Sequence, residues 1–233
     1  MLTLPFINML EAVLKDPEWE SVSGILRNAE EVLQPSVLAR LEQSHQGVFA
    51  FLAFDWTIDR SFASYLESGA LAADTGRSVL ALFAATAENV DTTVQLPLRH
   101  DDVLYLDRSV DPSYELVRGL FNGGDPVVLP GILIIPRFSQ PDEAVFVSVA
   151  HVGDLHQMAA LCRSVFAHAA AAYHRSKENL DLSFTDVLAV QLAKSRIAYA
   201  RTGQRSLMEW LIRAFNLLWR HRSDLMATAG LFT

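Results

Sequence analysis

Chemically capable residues are densest in FDWTID, residues 54–59, where Asp55 and Asp59 follow a run of apolar residues and precede a stretch with helical spacing. Two carboxylates at the C-terminal end of a strand could act as an acid–base pair or supply a nucleophile. The Asp-x-Asp spacing used in aspartyl-phosphate chemistry is missing, because Thr57 stands at its second position. Plainer roles fit these residue types. Asp55 or Thr57 would cap the following helix, and Asp59 would sit in its first turn, where the helix dipole favours a carboxylate.

The other reactive side chains do not assemble into a recognisable centre. His151, His156, His168 and His174 fall close together in sequence, but no His-x-x-x-His pair occurs among them. On one helix His156 and His174 would share a face roughly 27 Å apart, while His168 would point about 120° away from both. No metal site is expected. Cys162, the only cysteine, lies in an apolar stripe with Leu155, Met158, Val165, Phe166, Ala169 and Tyr173, where a thiol is inert. FNGGDP, residues 121–126, follows a helical stretch and precedes a strand, the wrong order for holding a phosphate at a helix N-terminus. No Gly-x-Ser-x-Gly elbow, phosphate-binding loop or dinucleotide fingerprint is present. The expectation is therefore no catalytic residue and no cofactor.

These residues must be positioned by a mixed α/β framework. Residues 1–46 read as helices, with Pro17 and Pro35 each opening one. GVFAFLAF (47–54) and SVLALFAA (78–85) are near-continuous apolar runs, as in strands buried on both faces. Between them DRSFASYLES (59–68) reads as a helix with Phe62, Tyr65 and Leu66 on one side and Gly69 as its stop. A region at about 87–110 reads as an insert, followed by a helix over 111–121 with Asp111 as cap and Pro112 in its first turn. GILIIP (131–136) is a third strand, and AVFVSVA (144–150) alternates like a fourth with one face exposed. A long helix is expected from about Asp154 to Lys177, then one capped by Ser183 and one capped by Ser206.

From residue 47 the order is β-α-β-insert-α-β-β-α. The first two strands, joined through a helix, should be parallel, and the last two, joined by a short turn, antiparallel. This order, with VVLPGILII and FLAFDWTIDRSF, resembles the thioredoxin-like family over residues 47–178. The resemblance implies a cis-proline at Pro130 directly before the third core strand. It also places Trp56 beside the redox motif, but Thr57-Ile58-Asp59-Arg60 stands where the oxidoreductases carry Cys-x-x-Cys. Thiol–disulfide exchange needs a thiolate, so the resemblance is to a redox-inactive member. It implies a partner-binding groove formed by Trp56, Thr57, Ile58, Asp59, Leu129 and Pro130, in which the backbone of Leu129 pairs with an extended peptide. A non-catalytic adaptor or accessory protein is the leading expectation. The alternatives are a glutathione-transferase-like enzyme using Thr57 and a structural subunit of a larger assembly.

The chain has 233 residues, 51% of them apolar, with 19 Lys and Arg against 27 Asp and Glu. Residues 191–233 hold seven basic and two acidic residues, so the net charge of −8 divides into +5 for that tail and −13 for the rest. An acidic body with a modestly basic tail is a weak nucleic-acid signal, and no nucleic-acid partner is expected. No apolar run is long enough to span a membrane. One cysteine and the lack of a leader-like start point to a soluble cytoplasmic protein.

Residues 179–233 read as helices with a role in assembly. The helix over 206–228 is apolar around most of its circumference, and Trp210 lies about 140° from Phe215, which shares a face with Trp219. One monomer covers one of those faces more easily than both. A homodimer with Trp210, Phe215 and Trp219 at its interface is therefore expected.

Overall fold

The computed structural model describes residues 2–5, 42–43, 45, 47–56, 58–84, 117, 121, 127–137, 144–201 and 225–229. Its strands are β1 (Leu2–Pro5), β2 (Val48–Ala53), β3 (Val79–Ala84), β4 (Gly131–Ile135), β5 (Val145–Ser148), β6 (Ala200–Arg201) and β7 (Leu225–Ala229). Its helices are α1 (Arg60–Glu67), α2 (Ala70–Thr75), α3 (Leu155–Glu178) and α4 (Phe184–Lys194). The protein is mixed α/β, with one mixed sheet in the order β1-β7-β3-β2-β4-β5-β6.

The four strands expected from apolar runs form the middle of this sheet. β2 and β3 are parallel, with Val48 opposite Val79. β4 runs antiparallel to both β2 and β5. Every residue of β2 and β4 is buried, as continuous apolar runs require when both faces are covered.

One sheet face presents Val48, Ala50, Leu52, Val79, Ala81, Ile132, Ile134, Val145 and Val147 to the helices, which contribute Phe62, Tyr65, Leu71, Met158, Cys162, Val165, Phe166, Leu188 and Leu192. Full burial of side chains of this size stabilises by roughly 1.5–3 kcal/mol each. On the opposite face Phe49, Phe51, Leu80, Leu82, Leu133, Ile135 and Phe146 are buried too. Val117 and Phe121, from the segment read as a helix over 111–121, are also buried, and the Phe121 ring meets Phe146 edge-on at 5.7 Å.

Four expectations are corrected. Residues 1–46 were expected to be helical, yet Leu2–Pro5 is a strand that pairs antiparallel with β7. The helix expected over 206–228 does not reach that far, because Leu225–Ala229 is inserted between β1 and β3. Both segments are short and gain ladder partners from distant parts of the chain, which outweighs local helical spacing. β5 is not exposed on one face: Val145, Phe146 and Val147 are all buried, since Phe121 covers the side that alternation assigned to solvent. Leu155, read as part of the α3 stripe, is 39% exposed at the first position of the helix.

The helices otherwise follow their local signals. Asp154 caps α3 by accepting a hydrogen bond from the Gln157 N–H at 2.9 Å. Ser183 occupies the N-cap of α4, but its hydroxyl pairs with Thr185 Oγ1 at 2.9 Å instead of capping the backbone. Gly69, at φ 74°, turns the chain from α1 into α2, a conformation open to glycine at no steric cost. The insert at 87–110 lies outside the described residues.

Candidate functional site

Strand register brings the two predicted halves of the groove together. The β2–β4 ladder ends on Ala53 opposite Gly131, so the chain after Ala53 and the chain before Gly131 leave the sheet at the same end. The β4–β5 ladder places Ser148 opposite Gly131, which adds the loop after β5. Three segments therefore leave the sheet at that end: 54–56 with 58–59, 128–130 and 149–154.

The first segment is folded by its own carboxylates. The Asp55 N–H donates to Asp59 Oδ2 at 2.7 Å, and the Ile58 N–H donates to Asp55 Oδ1 at 3.2 Å. The Asp59 N–H donates to the Asp55 carbonyl at 2.8 Å, and the Asp59 carbonyl then receives the N–H groups of Phe62 and Ala63. Asp59 thus stands at the N-cap of α1, not within its first turn, and its side chain reaches backward to Asp55. The two carboxylates hold a turn. Asp55 is 7% exposed, and its carboxylate bonds to backbone of its own loop.

Around that turn the aromatic residues lead from core to surface. Phe54 meets Phe62 at 5.1 Å and the half-buried Trp56 at 4.9 Å, both edge-on. Ile58 is 68% exposed. Thr57 lies outside the described residues.

In the second segment the Leu129–Pro130 peptide bond is cis and directly precedes β4. The Pro130 carbonyl accepts from the Val149 N–H at 2.9 Å, tying this segment to the loop after β5. Leu129 and Pro130 are half-buried, and Val128 is 61% exposed. Leu129 lies beyond the last rung of the ladder, so its backbone is not part of the sheet pairing. Gly131 leaves no room for a side chain: a Cβ there would meet the Phe146 ring and lie 2.6 Å from the Val147 carbonyl. The loop after β5 closes the site, where Ser61 Oγ donates to the Gly153 carbonyl at 2.9 Å and links α1 to the approach to α3. That contribution carried no sequence motif.

Elsewhere, His156 and His174 are exposed on α3, as their spacing implied. His174 Nε2 pairs with Ser78 Oγ at 3.1 Å, and His168 Nε2 with Ser195 Oγ at 2.8 Å. Among the described residues no cluster of His, Cys, Asp and Glu could hold a metal ion, and no helix is long and apolar enough to cross a membrane. Trp210, Phe215 and Trp219 lie outside the described residues.

A second polar cluster has no counterpart in the sequence reading. Tyr65 of α1 donates its hydroxyl to Asp74 Oδ2 of α2 at 3.0 Å, and Arg163 Nε of α3 donates to Asp74 Oδ1 at 2.8 Å. The Asp74 side chain is 4% exposed. Burial, the neighbouring Cys162 and Asp74 push the Tyr65 phenol far above its ordinary range. Burial and the Asp74 charge likewise push up the Cys162 thiol, against a smaller opposing effect from its hydrogen bond with Tyr65. A buried thiol held protonated is a poor nucleophile, so the only cysteine offers no redox chemistry to the site. Comparison of the chain with family models, with curated proteins and with solved structures finds no match.

Proposed function

We propose that this protein is a thioredoxin-like, redox-inactive adaptor that binds a peptide or protein partner through the groove between Trp56–Asp59 and Leu129–Pro130. One observation carries the reading: pairing of Ala53 with Gly131 delivers both segments to one end of the sheet, with the Leu129 backbone beyond the ladder. The parallel β2–β3 pair and the antiparallel β4–β5 pair support the thioredoxin-like assignment, because they have the directions which that element order implies. The absence of a thiol from residues 54–60 supports a binding role over an oxidoreductase role.

The mode of binding is strand addition. An extended partner segment pairs with the Leu129 backbone, and its side chains contact Trp56 and Ile58. Titration calorimetry with peptides selected from a displayed library tests this reading. Trp56→Ala, and Leu129→Pro, which removes the pairing N–H, should each weaken binding at least about tenfold, the equivalent of 1.4 kcal/mol. Affinity unchanged in both variants would move the site elsewhere. The protein is proposed to act as a homodimer, and a monomer mass in light scattering at micromolar concentration would refute that.

A further inference from the structure

We propose that His45 is an acid-sensitive latch: protonation of its buried ring drives the ring toward water and loosens the chain where it enters β2. This device lies at the other end of β2 from the groove and does not depend on it.

The latch is built from residues around the first rung of the β2–β3 pair. His45 is only 4% exposed, and its ring meets Phe49 at 5.4 Å. Its Nε2 lies 3.2 Å from the Val48 carbonyl. A carbonyl only accepts, so Nε2 carries the proton of the neutral ring and Nδ1 is the basic nitrogen. Gly47 gives the ring its place: a Cβ there would lie 2.7 Å from Nε2 and would press on the Ser78 carbonyl. That carbonyl accepts the Val48 N–H at 2.9 Å, beside the Val48–Val79 pair that opens the ladder. Ring, glycine and first sheet bond are thus packed together.

A proton on Nδ1 keeps the Nε2 bond but makes the ring a cation with almost no access to water. Burial of a charge is costly, and the cost is relieved when the ring leaves its site. The titratable groups of the elements around it are Glu42 on its own segment, Arg77 before β3, Arg137 after β4, and Tyr173 and His174 on α3. Burial is the main cause that raises the Tyr173 phenol, with Arg137 and Glu42 acting on it in opposite directions. His174 is exposed and reaches Ser78 Oγ at 3.1 Å, where its ring can pair in either protonation state. For His45 itself, burial lowers the affinity for a proton, and the Val48 carbonyl opposes this less strongly. Above its ordinary value of 6.5 the ring is neutral whether the latch is closed or open. As pH falls below that value the open chain takes up the proton first, so the closed arrangement loses stability.

Amide exchange on the full-length protein, corrected for the intrinsic effect of pH, tests the latch at the Val48 N–H. Between pH 7.5 and pH 5.5 its protection should fall about five- to tenfold, the factor set by a proton bound roughly one pH unit below the ordinary value. Amides of α3, such as that of Met158, should keep theirs. His45→Gln retains an N–H for the Val48 carbonyl but does not titrate, so its Val48 protection should be equal at the two pH values. The same fall in His45→Gln would overturn the latch. So would a fall of equal size throughout α3, because acid would then be unfolding the whole protein. If His45→Gln does not fold, the ring of His45 is titrated by NMR in the unaltered protein. A midpoint at or above 6.5 overturns the proposal, and a lower midpoint together with the Val48 loss upholds it.

Discussion

Two acidic centres in this molecule solve the same problem by opposite means. Asp55 and Asp59 brace their own loop: Asp59 Oδ2 takes the Asp55 N–H and Asp55 Oδ1 takes the Ile58 N–H, each within four residues. Asp74 relies on side chains from two other helices, the buried Tyr65 hydroxyl of α1 and the Arg163 guanidinium of α3. The first centre shapes a surface turn and leaves Ile58 in solvent, and the second ties α1, α2 and α3 together through the buried Asp74 carboxylate. The lesson is that a carboxylate in the 54–59 turn and one in the interior differ in role through the donors they take. What each does follows from which donors reach it.

The comparison breaks most readily at Tyr65. Tyr65→Ala removes a fully buried ring and the Asp74 donor at once, and should cost about 3–5 kcal/mol in urea unfolding. A cost below about 1 kcal/mol would mean that α1 is not tied to the core through this residue.

Tyr65→Phe isolates the hydrogen bond. It keeps the ring but leaves the Asp74 acceptor one donor short, for an expected loss of about 1–3 kcal/mol. An unchanged urea midpoint would remove Asp74 from the list of tertiary ties. Gly131→Ala probes the groove side of the comparison at a similar scale. Its methyl would press on Phe146 and the Val147 carbonyl, costing about 1–3 kcal/mol by overpacking and displacing Pro130. Wild-type stability with unaltered peptide binding would show that the β4–β5 approach is looser than described.

The interior cluster should also show itself in alkali. Tyr65 and Cys162 have ordinary values of 10.0 and 9.0, both raised in the folded protein, so the native state keeps protons that the unfolded chain releases. Their contribution is fully present below pH 9 and is lost as pH rises above the unfolded values toward the native ones. Unfolding midpoints measured from pH 8 to pH 11 should therefore fall, less steeply in a Tyr65→Phe, Cys162→Ala double variant. Equal slopes would assign the alkaline loss to other groups. Smallest of all should be Asp59→Asn, which keeps an acceptor oxygen for the Asp55 N–H and should cost about 0.5–1 kcal/mol. A loss as large as that of Tyr65→Ala would make the local turn as important to the fold as the tertiary tie.

The loop at 54–59 was readable because its parts lie close in sequence. An apolar run ending in Asp-Trp-Thr-Ile-Asp announces a strand followed by a helix start, where carboxylates bond to nearby backbone. The cap was expected at Asp55 or Thr57 with Asp59 in the first turn, whereas Asp59 is itself the N-cap, since its backward bond to Asp55 depends on loop geometry and not on residue type. The Asp74 cluster was not readable at all. Tyr65, Asp74 and Arg163 are a phenol on an apolar face, an acid in a short helix and an exposed arginine, and no spacing connects them.

The amino-acid sequence by itself determined the central strands and the helices α1, α3 and α4, because continuous apolar runs, helical spacing and the Asp154 cap act over a few residues. It also settled that residues 54–60 carry no thiol. Only the tertiary structure decided what covers each apolar face and what pairs with each short strand. LTLP and LMATA have too few residues to signal a strand, and they become one when Leu2 meets Ala229 and Ala227 meets Leu82 across the sheet. Phe146 is buried because Phe121 arrives over it, not because of its place in β5. The reason is physical: periodicity states which side of an element avoids water, while backbone hydrogen bonds and packing partners between strands come from residues that local order cannot name.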